Sequence, residues 1–135
     1  MFQYDAEIGD IDMDGVPDDF VVLYDNYRMK QGTLKWFRPE SEMNKLWNAH
    51  AIEPGSMKTY HGHAGLDWGN INGDDFIDIS YANGWYEGSE NPGAGWTWHE
   101  VTGIYGISNT LIRDIDRDGD MDKVMSAGHH GRGVY

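Results

Sequence analysis

The chain has 135 residues, 23 Asp and Glu against 10 Lys and Arg, and a net charge of −13, so it is sized for one modest domain and lacks the basic stripe that nucleic-acid binding requires. It contains no cysteine to form a disulfide and no apolar run long enough to span a membrane, which argues against membrane insertion by a helix. Eighteen glycines together with six Trp and eight Tyr suggest short aromatic strands joined by tight turns, an all-β class.

In chain order, residues 1–9 read as a strand; no basic segment followed by an apolar one precedes it, so a signal peptide is not expected in this chain. The strand runs into Asp10-Ile11-Asp12-Met13-Asp14-Gly15-Val16-Pro17-Asp18. Residues 19–25 leave that loop as a β-branched and aromatic strand, and Asn26 to Gly32 is a polar turn. Thr33 to Arg38 is the next strand, 39–46 a connection, and Trp47 to Ile52 a further strand.

The same order then recurs. Residues 60–68 lead into Asn70-Ile71-Asn72-Gly73-Asp74-Asp75-Phe76-Ile77-Asp78, the strand 76–82 follows, and Trp85-Tyr86-Glu87 matches Trp36-Phe37-Arg38. Trp96-Thr97-Trp98-His99 matches Trp47-Asn48-Ala49-His50. Residues 102–113 enter a third loop, Asp114-Ile115-Asp116-Arg117-Asp118-Gly119-Asp120-Met121-Asp122, and 123–127 leave it. The loops start 60 and 44 residues apart, so the first interval carries about 16 extra residues, placed mostly in 25–32 and 56–63. Four short strands at such a period are the signature of a propeller blade. The chain divides into about 5–60, 61–104 and a partial third unit, 105–135, within one region.

Side-chain oxygens fall at positions 1, 3, 5 and 9 of each loop: Asp10, Asp12, Asp14 and Asp18; Asn70, Asn72, Asp74 and Asp78; Asp114, Asp116, Asp118 and Asp122. With the backbone carbonyl of position 7 (Val16, Phe76, Asp120) they supply most of the six to eight oxygens that calcium takes, so up to three Ca2+ ions are expected. Three divalent ions would bring the net charge to −7, which makes much of the acidity local ligand charge. Position 12 is Val21, Tyr81 or Met125, not the bidentate Glu of an EF-hand, and strands follow where a helix would be needed. Gly15 and Gly119, at position 6, suit a positive φ, and Asp75 in the second loop tolerates it at some cost. Loops one and three offer four Asp each and loop two only two, so ligand charge makes loop two the weakest site.

His50 and His99 recur at equal places and are read as packing or bonding within their units. His61, His63, His129 and His130, with Tyr and Arg nearby, are the residues from which a proton-abstracting or zinc site could be built, though no spacing demands one. Trp68 and Trp98 recur least and are the candidates for a surface role.

The three Asp/Asn-x-Asp/Asn-x-Asp loops with their strands, and the Gly84-Trp85-Tyr86-Glu87 to Trp96–His99 tail, resemble the FG-GAP/VCBS calcium-binding repeats of β-propellers; Asp75 for the usual glycine and Asn70 at position 1 depart from the pattern. The resemblance implies propeller blades with calcium between adjacent strands, in a secreted or cell-surface bacterial protein. It implies a structural or recognition role in adhesion, glycan or protein binding, or self-association through open strand edges. The alternative is part of a polysaccharide lyase or another glycan-degrading enzyme; fold alone does not decide between these.

Overall fold

The computed structural model of the protein describes residues 2–26, 31–40, 45–53, 65–81, 83–101, 107–127 and 133–134. Among them there is no helix, and eleven strands form three antiparallel sheets, as an all-β chain requires. The first sheet holds β1 (Phe2–Gly9), β2 (Asp19–Asn26), β3 (Gln31–Arg38) and β4 (Asn48–Glu53) in chain order. The second holds β5 (Leu66–Gly69), β6 (Asp78–Tyr81), β7 (Gly84–Glu87) and β8 (Thr97–Glu100), again in order. The third is β9 (Ile107–Arg113), β10 (Asp122–Ala127) and the short β11 (Gly133–Val134).

The strands sit broadly where β-branched and aromatic runs place them, but the expected turn 26–32 is shorter, since β2 runs to Asn26 and β3 starts at Gln31, and the boundary after the second loop moves. Phe76 and Ile77, expected to open a strand, belong to the loop; β6 starts at Asp78, β10 at Asp122 and β2 at Asp19. An acidic residue therefore begins the second strand of every sheet. Lys45 and Leu46 are outside any strand, in keeping with a connection there, and the β2–β3 ladder closes at Asn26↔Gln31. Residues 27–30, 41–44, 54–64, 82, 102–106 and 128–132 lie outside the described residues, and with them His61, His63, His129 and His130.

Alternation decides which side chains enter the core. Val21 and Leu23 of β2, and Leu34 and Trp36 of β3, are buried while Val22, Lys35 and Phe37 between them are less so. In β6 every residue is buried, since the second sheet is covered on both faces. Its first strand, β5, packs against β1 on one side and β9 on the other. Trp68 of β5 lies flat on Gly9, where a Cβ would come within 2.5 Å of the indole, and donates its Nε1–H to the Ile8 carbonyl at 2.8 Å. At the far edge of the same sheets, Trp36 Nε1–H donates to the Pro92 carbonyl at 2.8 Å. Between sheets two and three, Ser80 and Thr110 share a buried hydroxyl contact at 3.2 Å, and the Lys123 ammonium donates to the Gly84 carbonyl.

Both histidine expectations hold. His50 stacks on Trp36 (4.2 Å, 17°) and His99 on Trp85 (4.3 Å, 13°), and His99 Nε2 lies 2.6 Å from Glu87 Oε2. Trp68 and Trp98, read from the sequence as surface candidates, are packed against the core instead, Trp98 tilted against Tyr86 at 4.8 Å. Trp68 covers Gly9 and Trp98 covers Gly84, contacts that repeat position does not encode.

Candidate metal centre

Each acidic loop joins the first two strands of its sheet, and all three share one backbone course. Positions 4 and 6 take a left-handed φ in every case: Met13 (58°) and Gly15 (92°), Gly73 (77°) and Asp75 (73°), Arg117 (64°) and Gly119 (103°). The sequence predicts this at position 6, through Gly15, Gly119 and Asp75, but not at position 4. Each loop has glycine at one of the two positions and an L side chain at the other, which costs about 1–2 kcal/mol.

Side-chain oxygens fix that course. Asp10 accepts from the N–H of Asp14 (2.9 Å) and Gly15 (3.0 Å), and Asp14 accepts from Val16 N–H (2.9 Å). The second loop repeats the pattern with Asn70 accepting from Gly73 N–H (2.7 Å), Asn72 from Asp74 N–H (3.1 Å) and Asp74 from Phe76 N–H (2.9 Å). In the third, Asp114 accepts from Gly119 N–H (3.2 Å), Asp116 from Asp118 N–H (3.2 Å) and Asp118 from Asp120 N–H (3.0 Å).

The acid that opens the second strand then clamps the loop to the sheet. Asp19 Oδ2 accepts from the N–H of Ile11 and Asp12, both at 2.9 Å; Asp78 Oδ2 accepts from Ile71 N–H at 2.7 Å; Asp122 Oδ2 accepts from Ile115 N–H at 2.9 Å. Strand pairing confirms the equivalence: Asp19, Asp78 and Asp122 face Gly9, Gly69 and Arg113, each the residue just before its loop. The first loop is thus one residue longer than the others. Asp18, the expected ninth-position ligand, is exposed, and Asp19, 1% exposed, occupies the place that Asp78 and Asp122 hold. Period-2 alternation back from Leu23 and Val21 reaches Asp19 and is the signal that finds it.

Two carboxylate triads result. Oxygens of Asp10, Asp12 and Asp19 lie within 4.8 Å of one another, as do those of Asp114, Asp116 and Asp122. Of the other expected ligands, Asp14 turns its second oxygen to Arg38, the Val16 carbonyl accepts from Asp18 N–H at 2.9 Å, and Asp118 and Asp120 are exposed members of the third loop. The second loop, with Asn70 and Asn72, offers only Asp74 and Asp78 as carboxylates at its expected ligand positions, Asp75 being exposed, and Phe76 lies half-buried at its seventh position.

The triads contain carboxylate oxygens sealed from solvent and without a hydrogen-bond partner, Asp19 Oδ1 and Asp114 Oδ1, while the equally sealed Asp12 Oδ2 meets only the Arg38 guanidinium, at 2.9 Å. Burial raises the Asp19 carboxyl above its ordinary value, and the neighbouring Asp12 adds to the rise against its backbone hydrogen bonds. Burial likewise raises Asp78, but there both oxygens are bonded, since Oδ1 also accepts from Gly88 N–H at 3.0 Å. The first sheet has Pro39 at the place of Gly88, one residue beyond the pair Arg38↔Asn48 that matches Glu87↔Thr97. Proline has no N–H, so Asp19 Oδ1 is left unpartnered.

Residues at the end of the third strand reach into the loops, which spacing within the loops does not reveal. Arg38 Nη2 donates to Asp14 Oδ2 at 2.6 Å, and Nη1 lies 2.9 Å from Asp12 Oδ2. In the second sheet Glu87 Oε1 accepts from Asn72 Nδ2 at 3.3 Å, and the same amide donates to Asp74 Oδ2 at 2.9 Å.

An oxygen-only, anionic cluster at a strand mouth fits a hard divalent cation. Comparison with protein-family models, with curated proteins and with solved structures found no match.

Proposed function

We propose that the protein is a calcium-binding segment of a β-propeller of the FG-GAP/VCBS type, its stacked sheets acting as successive blades. Asp10, Asp12 and Asp19 hold one Ca2+, and Asp114, Asp116 and Asp122 hold a second. The observation that carries this reading is the Asp19 carboxylate, 1% exposed, with one oxygen unpartnered beside two further carboxylates. A buried unpaired anion costs several kcal/mol, and a bound cation removes that cost. The second loop lacks the need, because Gly88 and Ile71 satisfy Asp78 with N–H donors.

The cation's role here is structural. It locks the hairpin mouths of a chain that has no disulfide, and the rigid unit serves recognition outside the cell, by adhesion, glycan or protein binding, or self-association. Calorimetric titration of the decalcified protein tests the reading: two Ca2+ bind per chain, Mg2+ at the same concentration does not replace them, and the melting temperature rises. Absence of both heat and thermal shift would refute it.

A further inference from the structure

We propose that Arg38 is a built-in counter-cation of the first loop, and that it lowers calcium affinity there by holding two of the loop's carboxylates itself. The inference rests on the calcium reading of that loop and concerns how the site is tuned. Arg38 is the last residue of β3 and approaches the loop from outside the turn. Its guanidinium spans Asp12 and Asp14, the one at 2.9 Å and the other at 2.6 Å. Asp12 Oδ2, a buried oxygen of a triad residue, is met by the guanidinium as an ion pair at 2.9 Å. Beside it lies Asp19, 1% exposed, a member of the same triad whose Oδ1 has no hydrogen-bond partner. The guanidinium therefore neutralises the outer part of the loop and leaves the inner part unpaired.

The second sheet shows that this position faces the loop by design of the ladder and not by chance. Glu87 holds the equivalent register, since Trp36↔His50 and Trp85↔His99 precede Arg38↔Asn48 and Glu87↔Thr97 by two residues. It also touches its loop, through Asn72 Nδ2 at 3.3 Å. Charges at the two places are opposite, and both loops they face are anionic, the first more strongly. Asp10, Asp12, Asp14, Asp18 and Asp19 with Arg38 total −4; Asp74, Asp75 and Asp78 with Glu87 also total −4. The strand-end residue brings a five-carboxylate loop and a three-carboxylate loop to the same charge.

A divalent ion entering the first loop meets one positive charge a few ångströms away and must displace it from Asp12. Removing that charge should tighten binding roughly tenfold by Coulomb's law in a partly solvated site. Arg38 is half exposed, so its replacement disturbs no core. The test uses the full chain carrying Asp116→Asn, which silences the third loop and leaves the first as the site read by calcium calorimetry. Adding Arg38→Gln should lower the dissociation constant roughly tenfold and, in chelator, lower the melting temperature, because the apo carboxylates lose their counter-charge. Arg38→Lys keeps the charge and should stay within about threefold of the parent. A parent that binds calcium, with an Arg38→Gln constant unchanged or weaker, overturns the proposal and leaves the metal site standing. A parent that binds no calcium removes the metal site first, and the proposal with it.

Discussion

Replacing Asp19 by Asn separates the two possible registers of the first loop and reverses sign with calcium. In the structure Asp19 Oδ2 accepts from two backbone N–H groups while Oδ1 has no partner. An Asn side chain keeps the accepting oxygen and places an NH2 group where Oδ1 points. With calcium present it loses a charge and puts a donor in the metal's way, so the first site is lost. A site held at a thousandfold excess over its dissociation constant contributes about 4 kcal/mol. For a chain of 135 residues a kilocalorie shifts melting by about 4 °C, so one site is worth about 15 °C. In chelator the change acts the other way: it removes a buried negative charge whose Oδ1 has no partner, and melting should stay level or rise by a few degrees. Asp18→Asn is the matched control, since Asp18 is exposed and should be silent in both conditions. Differential scanning calorimetry of the three proteins with and without calcium reads the outcome. The reasoning fails if Asp19→Asn keeps the full calcium shift, or if Asp18→Asn abolishes it.

Two further predictions rest on the same contacts. Burial first, and Asp12 second, raise the Asp19 carboxyl above its unfolded value of about 3.9, so in the cation-free chain its contribution to stability is fully present below that value and is lost as pH rises through the raised one. Asp78 and Glu7 are shifted up in the same way, burial again first, so melting of the calcium-depleted protein should rise as pH falls through the raised carboxyl values, while the increment from added calcium shrinks as protons compete for Asp19; a calcium increment independent of pH would contradict this. Gly65→Ala should cost about 1–3 kcal/mol or more in chemical denaturation, because its Cβ would come within 2.2 Å of Thr110 N and 2.6 Å of Asn109 backbone atoms, which cannot yield as a flexible side chain would; an unchanged midpoint would show that sheets two and three are not packed as closely as found.

Much of this arrangement is readable in the amino-acid order. Spacing of Asp and Asn locates three loops at three hairpin mouths, and matching Trp and His residues give the stacked pairs of β3–β4 and β7–β8. What is not readable depends on contacts between segments far apart in sequence. Asp18 and Asp19 are chemically identical, and the choice between them is made by the pairing of Asp19 with Gly9 and by the inward face that Val21 and Leu23 define. The left-handed turn at Met13 and Arg117 has no composition signal, since both side chains ordinarily avoid it and are held there by the carboxylate hydrogen bonds of the loop. Arg38 and Glu87 reach their loops across the sheet, 24 residues from Asp14 in the one case and 15 from Asn72 in the other.

The contrast between Asp19 and Asp78 then explains why loops of one geometry need not share one chemistry. Both residues open the second strand of a sheet, both are buried at 1% or less, and both clamp the residue at position 2 of their loop. Each must also satisfy a second oxygen in a place water does not reach. In the second sheet the backbone turns away after Glu87 with a glycine, whose N–H meets Asp78 Oδ1 at 3.0 Å; a Cβ there would lie 2.0 Å from the Ile77 carbonyl, so glycine is what allows the approach. In the first sheet that place is Pro39, which has no hydrogen to give. A backbone donor and a bound cation are alternative ways of satisfying the same buried oxygen. The residue after the third strand therefore bears on the choice between them: glycine supplies the second oxygen with a donor, and proline leaves a carboxylate oxygen without a backbone partner, open to a cation or a proton.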